Sequence, residues 1–363
     1  MPGEVKMSKL KAMIREKARS QLLMPVMILF LLVIVNLFVG KSFFRIGTVV
    51  DNYGNTVLSG DIVSIINGAS ELALLAVGMT LVTAASGGQD ISVGAVAAIA
   101  GSVFVKVVNT GEITVPSILL AFLVSCVVVM VCGAFNGALV AVFRIQPMIA
   151  TLILFTAGRS VAYWINGTAS PKLYDDFTRQ IGSFISGVPI QTPIFIVLLY
   201  FIIFFLIFKF TNLRLYLEAV GINGKVAKLN GIDPIAVKLV AYVALGFCVA
   251  AAGFISTCRM QRLDHLGILN GIEMDAILAV AIGGNALSGG KFSVTGSVIG
   301  AYTIELLTKT LLRMQVDPNA IKVYKAVFII ILMIASSPAV KDNAVKLADY
   351  LRRQFVKGTA ASS

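Results

Sequence analysis

The amino-acid sequence predicts an all-α, polytopic membrane protein with about ten transmembrane helices. Composition is the first reason. Of 363 residues, 58% are hydrophobic and 13% charged, and the mean hydropathy is +0.91; a soluble domain holds about half apolar and about a quarter charged residues. The 30 Lys and Arg with 18 Asp and Glu cannot give a soluble core of this length a charged skin, so lipid must cover much of the surface. Charge distribution is the second reason. The formal net charge of +12 is gathered at the N-terminus (Lys6, Lys9, Lys11, Arg15, Lys17, Arg19), in a central stretch (Lys209, Arg214, Lys225, Lys228, Lys238) and at the C-terminus (Lys341, Lys346, Arg352, Arg353, Lys357). These clusters lie at the ends of apolar runs and at the termini, a distribution that follows the positive-inside rule rather than that of a nucleic-acid surface.

The first apolar run, 22–39, follows a basic segment as a signal peptide would, but no small-residue cleavage site follows it, so it reads as a retained span. Further spans are expected near 62–85, 91–108, 115–143, 147–165, 192–210, 235–258, 272–284, 293–313 and 321–337. The third and fourth are long or interrupted by Gly and polar residues, so tilted or broken helices are expected there. An even number of spans puts both termini on one side, and the Lys and Arg excess, with Arg144 and Lys291, makes that side cytoplasmic. The organisation is therefore a basic N-terminal segment 1–21, a transmembrane domain 22–338 and a C-terminal tail 339–363.

Cys126, Cys132, Cys248 and Cys258 lie in or beside apolar runs without metal-ligand spacing, and read as small packing residues. His265 is the only histidine, so a His-dependent triad or multi-histidine metal site has little to build on.

Three segments depart from plain lipid-facing helix. In the first, 86–94 (Ser-Gly-Gly-Gln-Asp-Ile-Ser-Val-Gly), Gly87, Gly88 and Gly94 release the helix around Asp90. A carboxylate at membrane depth costs about 2.5 to 3.5 kcal/mol unless paired or wet. Asp90 reads either as a pathway group or as the cap of the next helix, with Ser92 as the other capping choice. The second segment, 281–291, carries Gly283, Gly284, Asn285, Ser288, Gly289 and Gly290. Irregular backbone at this depth lines a cavity or packs small residues between helices, and the two coexist. A phosphate loop is excluded: Asn285 stands where its first Gly is required and Phe292 where it needs Ser or Thr. Leu75-Ala76-Val77 ahead of the first Gly pair and Leu278-Ala279-Val280 ahead of the second suggest an internal duplication. In the third segment, 217–231, Gly221 and Gly224 are expected to break the chain, 225–229 to form a short helix and Gly231 with Pro234 to stop it. A short helix between two long ones is a docking element, or else a basic loop that only obeys the orientation rule.

Polar groups on otherwise apolar helices are the candidates for a substrate pathway: Asp90, Ser92, Asn136, Thr151, Asn285 and Ser288. Weak hydrogen bonding along such a path lets a polar solute leave. Ser and Thr also bond their own backbone, whereas an unpaired buried amide such as Asn136 is expensive.

Five ordered motifs, Gly88-x-Asp90-Ile91-Ser92-Val93-Gly94, then 145–152 (Ile-Gln-Pro-Met-Ile-Ala-Thr-Leu), Ala157-Gly158-Arg159, 218–223 (Glu-Ala-Val-Gly-Ile-Asn) and 273–284 (Glu-Met-Asp-Ala-Ile-Leu-Ala-Val-Ala-Ile-Gly-Gly), resemble the ribose/galactose-type permeases of ABC sugar importers, within the branched-chain-permease-like superfamily. The resemblance spans about residues 22–338 and is greatest to the galactofuranose branch; other branches carry sugars such as ribose or fructose. It implies a type II importer fold in the bacterial inner membrane, with a second permease chain (a heterodimer favoured, a homodimer possible), cytoplasmic ABC ATPase subunits and an extracytoplasmic sugar-binding protein. It also implies that this chain has no ATPase site and no cofactor of its own, ATP and Mg being bound by the partner ATPase. The coupling helix would then be 217–231, with Glu218, Gly221, Asn223, Lys225, Ala227 and Gly231 as its ATPase-coupling residues. Gln89, the polar segment 51–61, and Arg259, Arg262 and His265 depart from the family pattern. The rival reading is an ion-coupled secondary transporter with Asp90 as its coupling site; an intramembrane enzyme lacks a catalytic set.

Overall fold

A computed structural model describes residues 22–50, 56–167, 170–173, 175–185 and 187–336. The basic segment 1–21, the tail 339–363 and the end of the tenth span lie outside the described residues. Every predicted span finds a helix: α1 (Leu23–Val39), α2 (Asp61–Gly68) with α3 (Ser70–Ser86), α4 (Val93–Val108), α5 (Val115–Ala141), α6 (Pro147–Asn166), α8 (Thr192–Phe210), α10 (Pro234–Met260), α11 (Ile272–Ile282), α12 (Val294–Arg313) and α13 (Ile321–Ser336). Between them lie a short α7 (Asp176–Gly182), α9 (Leu213–Leu229) and a hairpin of β1 (Gly47–Val50) and β2 (Thr56–Ser59). Five of these stretches, Asp61–Ser86, Val115–Ala141, Pro147–Asn166, Thr192–Phe210 and Pro234–Met260, are long and apolar enough to cross a bilayer alone.

The expected breaks in the third and fourth spans are absent. Helices α4 and α5 are continuous, and the interruption falls in the second span, where Ala69 separates α2 from α3. At 27 residues α5 runs about 40 Å, longer than the ~30 Å hydrocarbon layer, a mismatch that tilting accommodates.

Helix starts follow capping chemistry. Thr114 and Ser117 form a capping box at α5, and Asp233 accepts the Ile235 amide at 2.9 Å ahead of Pro234 in α10. Replacing Asp233 by Ala is expected to lower stability by about 1 kcal/mol, read as a small fall in the thermal midpoint of the detergent-extracted chain.

The described residues up to Lys309 and those from Thr310 onward form two compact units. In the first, α10 is the central helix and packs chiefly on α5 and α3, while α4 packs on α6 and α5. Side-chain-free positions allow this. A Cβ on Gly133 would strike the Tyr242 carbonyl, and one on Gly246 would lie 2.8 Å from the Val129 carbonyl, so α5 and α10 touch at backbone distance. By contrast α8 turns Leu198, Leu199, Ile202, Phe205 and Leu206 outward, a surface that hydrocarbon covers. In the second unit α13 exposes Val323, Val327 and Ile330.

The end of the first unit opposite α9 is tied by polar contacts. Arg159 Nη1 donates to the carbonyls of His265, Leu266 and Ile268 at 2.9, 3.0 and 3.1 Å. Arg259 donates to Asn67 Oδ1 at 3.0 Å and lies 3.4 Å from Glu71 Oε1. Two of the residues that departed from the family pattern thus have distinct settings: Arg259 joins α10 to α2 and α3, and Arg262 sits in a bridge with Lys172.

Candidate functional site

Both glycine-rich segments are helix breaks, and they meet. Helix α3 ends in Gly87, whose φ of 64° is left-handed, and residues 87–92 run free of helix until α4 begins. The stretch between α11 and α12 is likewise irregular, with Gly289 and Gly290 at φ of 90° and 97°. A Cβ added at Gly87 would sit 2.7 Å from the Ser288 carbonyl, and one at Gly289 would sit 3.0 Å from the Gly87 Cα, so only glycine permits this approach. Three hydrogen bonds join the segments: Gly290 N to Ala84 O at 3.0 Å, Gln89 Nε2 to Leu287 O at 3.0 Å, and Thr80 Oγ1 to Ser297 Oγ at 2.6 Å.

The other predicted break glycines do different work. Gly94 is not a break: it lies in the first turn of α4, where a Cβ would stand 2.7 Å from the Leu269 carbonyl and from Glu273 Oε2. Gly88 packs on Pro147, and Gly283, the last cap of α11, packs on Gly296 and Ser297 while Gly284 follows at a φ of 81°.

Three of the six pathway candidates come together. Asp90 Oδ1 accepts from the Ser92 amide at 2.7 Å and from the Ser92 hydroxyl at 2.6 Å. Asn136 Nδ2 reaches from α5 to Asp90 Oδ2 at 3.1 Å and to Ser92 Oγ at 3.0 Å. All three are buried, beside a cavity of about 10 Å³ closed by Val93, Val96, Tyr242, Leu245 and Val249, room for about one water. Both readings of Asp90 therefore hold in part: it caps the turn into α4, and it does so inside protein. Thr151 stands next to this cluster, its hydroxyl accepting the Ile91 amide at 3.2 Å. Asn285 is separate and fastens its own loop, donating to Val280 O, Ser293 O and Ser297 Oγ while accepting the Ser293 amide at 2.6 Å. Ser288 is exposed and joins neither group.

Helix α9 is longer than its sequence suggested, and its break falls elsewhere. The preceding span stops at Phe210, and α9 runs through Gly221 to a single non-helical residue, Asn223 (φ −159°, ψ 98°). Asn223 Oδ1 accepts the amides of Lys225 and Val226 at 3.1 and 3.2 Å, so this side chain starts the short helix that ends before Gly231. Gly221 serves approach rather than breakage: a Cβ there would strike the Ala84 carbonyl and lie 2.6 Å from the Gly290 amide. Thus α9 rests at backbone distance on the last turn of α3 and on the second glycine segment at once. Ala227 is buried and Lys225 exposed; Val226 and Leu229 are exposed apolar residues of the short helix, and Ile222 is exposed just ahead of the break at Asn223. Glu218 Oε1 pairs with Arg214 Nε at 3.2 Å. An Asn223→Ala chain is expected to lose about 1 kcal/mol of cap energy from the short helix, with Asn223→Asp retaining it; faster amide exchange over 224–229 in the first variant alone would bear this out.

Sequence reading missed Thr80, Gln89 and Ser297 as fasteners between the segments. The available signal was slight: Thr80 is a hydrogen-bonding side chain in an apolar run, Gln89 had stood out only as a departure, and Ser297 lies among other hydroxyl residues, Ser293 and Thr295.

Comparison with known proteins agrees with this architecture. The chain is 39% identical to the galactofuranose transporter permease protein YtfT of Escherichia coli (strain K12), over 77% of this chain and 80% of that protein. It is 33% identical to the fructose import permease protein FruF of Bifidobacterium longum (strain NCC 2705), over 84% of each. Against the ribose import permease protein RbsC of Escherichia coli (strain K12) the identity is 30%, over 76% of this chain and 84% of that one. No solved structure matches. The family model described as branched-chain amino acid transport system / permease component matches residues 62–337, and the chain, a multi-pass membrane transport subunit, belongs to that family.

Proposed function

We propose that this chain is the membrane permease of an ATP-binding-cassette importer that carries a monosaccharide, galactofuranose-like or another pentose or hexose such as ribose or fructose, across the bacterial inner membrane. Identity to permeases named for three different sugars supports the class, and the greater identity to the galactofuranose permease favours that sugar. The observation that carries the mechanism is the seat of Gly221 on Ala84 and Gly290. A helix that touches the end of α3 and the second glycine segment through backbone atoms moves them, and the break that follows α3, when it moves.

In this reading α9 faces the cytoplasm with both termini, and the exposed Ile222, Val226 and Leu229 on either side of its break receive a separate ABC ATPase, which binds ATP and Mg. A second permease chain, favoured as a different polypeptide, completes the pathway, and an extracytoplasmic binding protein delivers the sugar and supplies most of the selectivity. Asp90, Ser92 and the Asn136 amide nitrogen are hydrogen-bonded to one another in the conformation described, while Asn136 Oδ1 has no partner among the described residues. They become sugar-facing hydrogen-bond partners when α5 tilts away from α4, with Thr151 beside them and Asn285 and Ser288 at the second segment.

Two measurements test this. Ile222→Asp with Val226→Asp is expected to abolish copurification of the ATPase encoded beside this chain while leaving the permease in the membrane; retained copurification contradicts the docking role. Uptake of labelled galactofuranose into vesicles should require ATP and the binding protein, and uptake indifferent to ATP depletion contradicts the importer.

A further inference from the structure

We propose that a slot beside the last two turns of α8 binds one anionic phospholipid, with its phosphate held by Lys209 and Arg214. The slot has a volume of about 360 Å³ and is walled by Phe201, Phe205 and Phe208 of α8 on one side and by Phe292 on the other. From Phe201 to Phe208 the wall rises about 10 Å along the helix, and Phe208 meets the Phe292 ring edge to face at 5.9 Å between centroids. One end of an acyl chain fits such a groove.

Two further observations select a lipid over a soluble ligand. Helix α8 is the most outward-facing of the five long apolar stretches, only 17% of its most apolar window being buried. The slot therefore lies along a helix that hydrocarbon covers, and its phenylalanine wall suits an acyl chain. Lys209 and Arg214, by contrast, stand at its mouth, where the chain leaves the apolar run and turns into α9. Among the described residues Lys209 pairs with no carboxylate; its ammonium lies 5.6 Å from the Phe210 ring centroid. Arg214 lies over the Phe292 ring, its Cζ 5.7 Å from the centroid, with Nε on Glu218 at 3.2 Å and Nη2 on the Phe292 carbonyl at 3.4 Å. A fixed planar guanidinium and a free ammonium above an aromatic slot complement a phosphodiester that lacks a cationic headgroup. The inference is independent of the sugar and of the side of the membrane on which this end lies.

The test uses the full chain in vesicles, with Trp164, the only tryptophan, replaced by Phe and one reporter, Phe205→Trp, placed in the slot. Brominated phosphatidylglycerol is expected to quench this reporter with an apparent affinity about fivefold above that of brominated phosphatidylcholine. Lys209→Gln should bring the two lipids to parity. A Leu198→Trp reporter, on α8 but outside the slot, should show no preference. As a check free of substitutions, native mass spectrometry of the unaltered chain should retain one phosphatidylglycerol and no phosphatidylcholine. Equal quenching at position 205 together with no retained phosphatidylglycerol, or an equal preference at 198, or a preference indifferent to Lys209→Gln would overturn the proposal. Quenching by neither lipid at 205 would mean that protein covers the slot, and would overturn it as well.

Discussion

A chain carrying Gly221→Val is expected to insert normally and to lose at least about tenfold in uptake, because overpacking of roughly 1 to 3 kcal/mol falls on the backbone contact through which α9 would move the helix breaks. The clash is with backbone: the Ala84 carbonyl and the Gly290 amide already share a hydrogen bond of 3.0 Å, and neither can rotate aside as a side chain could. The helix itself must lift. ATP hydrolysis by the assembled complex should persist but cease to respond to the loaded binding protein. Gly224, three residues on, supplies the control. A Cβ there meets nothing nearer than Pro234 at 3.7 Å, so Gly224→Ala should transport close to normally. If Gly221→Val transports as well as Gly224→Ala, the lever described for α9 does not exist.

The second large effect is on stability. Asn136→Leu removes both amide contacts, at 3.1 Å to Asp90 and 3.0 Å to Ser92, and leaves a carboxylate oxygen among Val93, Val96, Leu245 and Val249. An unsatisfied buried acceptor of this kind costs about 3 kcal/mol, so the thermal midpoint of the detergent-extracted chain should fall clearly. Asp90→Asn, which removes the charge while keeping an oxygen for the Ser92 amide, should recover part of the loss in the double variant. A double-mutant cycle that comes out additive would show that the two side chains do not act together.

How much of this was legible beforehand depends on distance along the chain. The helices were, because apolar runs bounded by local signals need no knowledge of the fold: Pro147 and Pro234 begin α6 and α10, and Lys209 in the last turn with Thr211 and Asn212 after it closes α8. The identity of the breaks was legible only in part. Glycine marks a place where helix can stop, and at Gly87 it does, but Gly94 and Gly221 are helical and are glycine because another backbone passes close by. Nothing local distinguishes these two uses. Asn223, an ordinary capping residue, made the break attributed to its glycine neighbours. The cluster of Asp90, Ser92 and Asn136 was named residue by residue, but their meeting depends on how α5 is rotated against α4, which no spacing in the sequence encodes.

The crossing of the glycine segments also imposes an order on manufacture. Gln89 and its acceptor Leu287 are separated by 198 positions. At ribosomal speeds of about 5 to 20 residues per second, the earlier strap leaves the ribosome on the order of 10 to 40 seconds before its mate exists. Asn136 arrives much sooner, so the nascent chain can shelter Asp90 from lipid first and must hold the bare surface of Gly87 vacant until synthesis is nearly done.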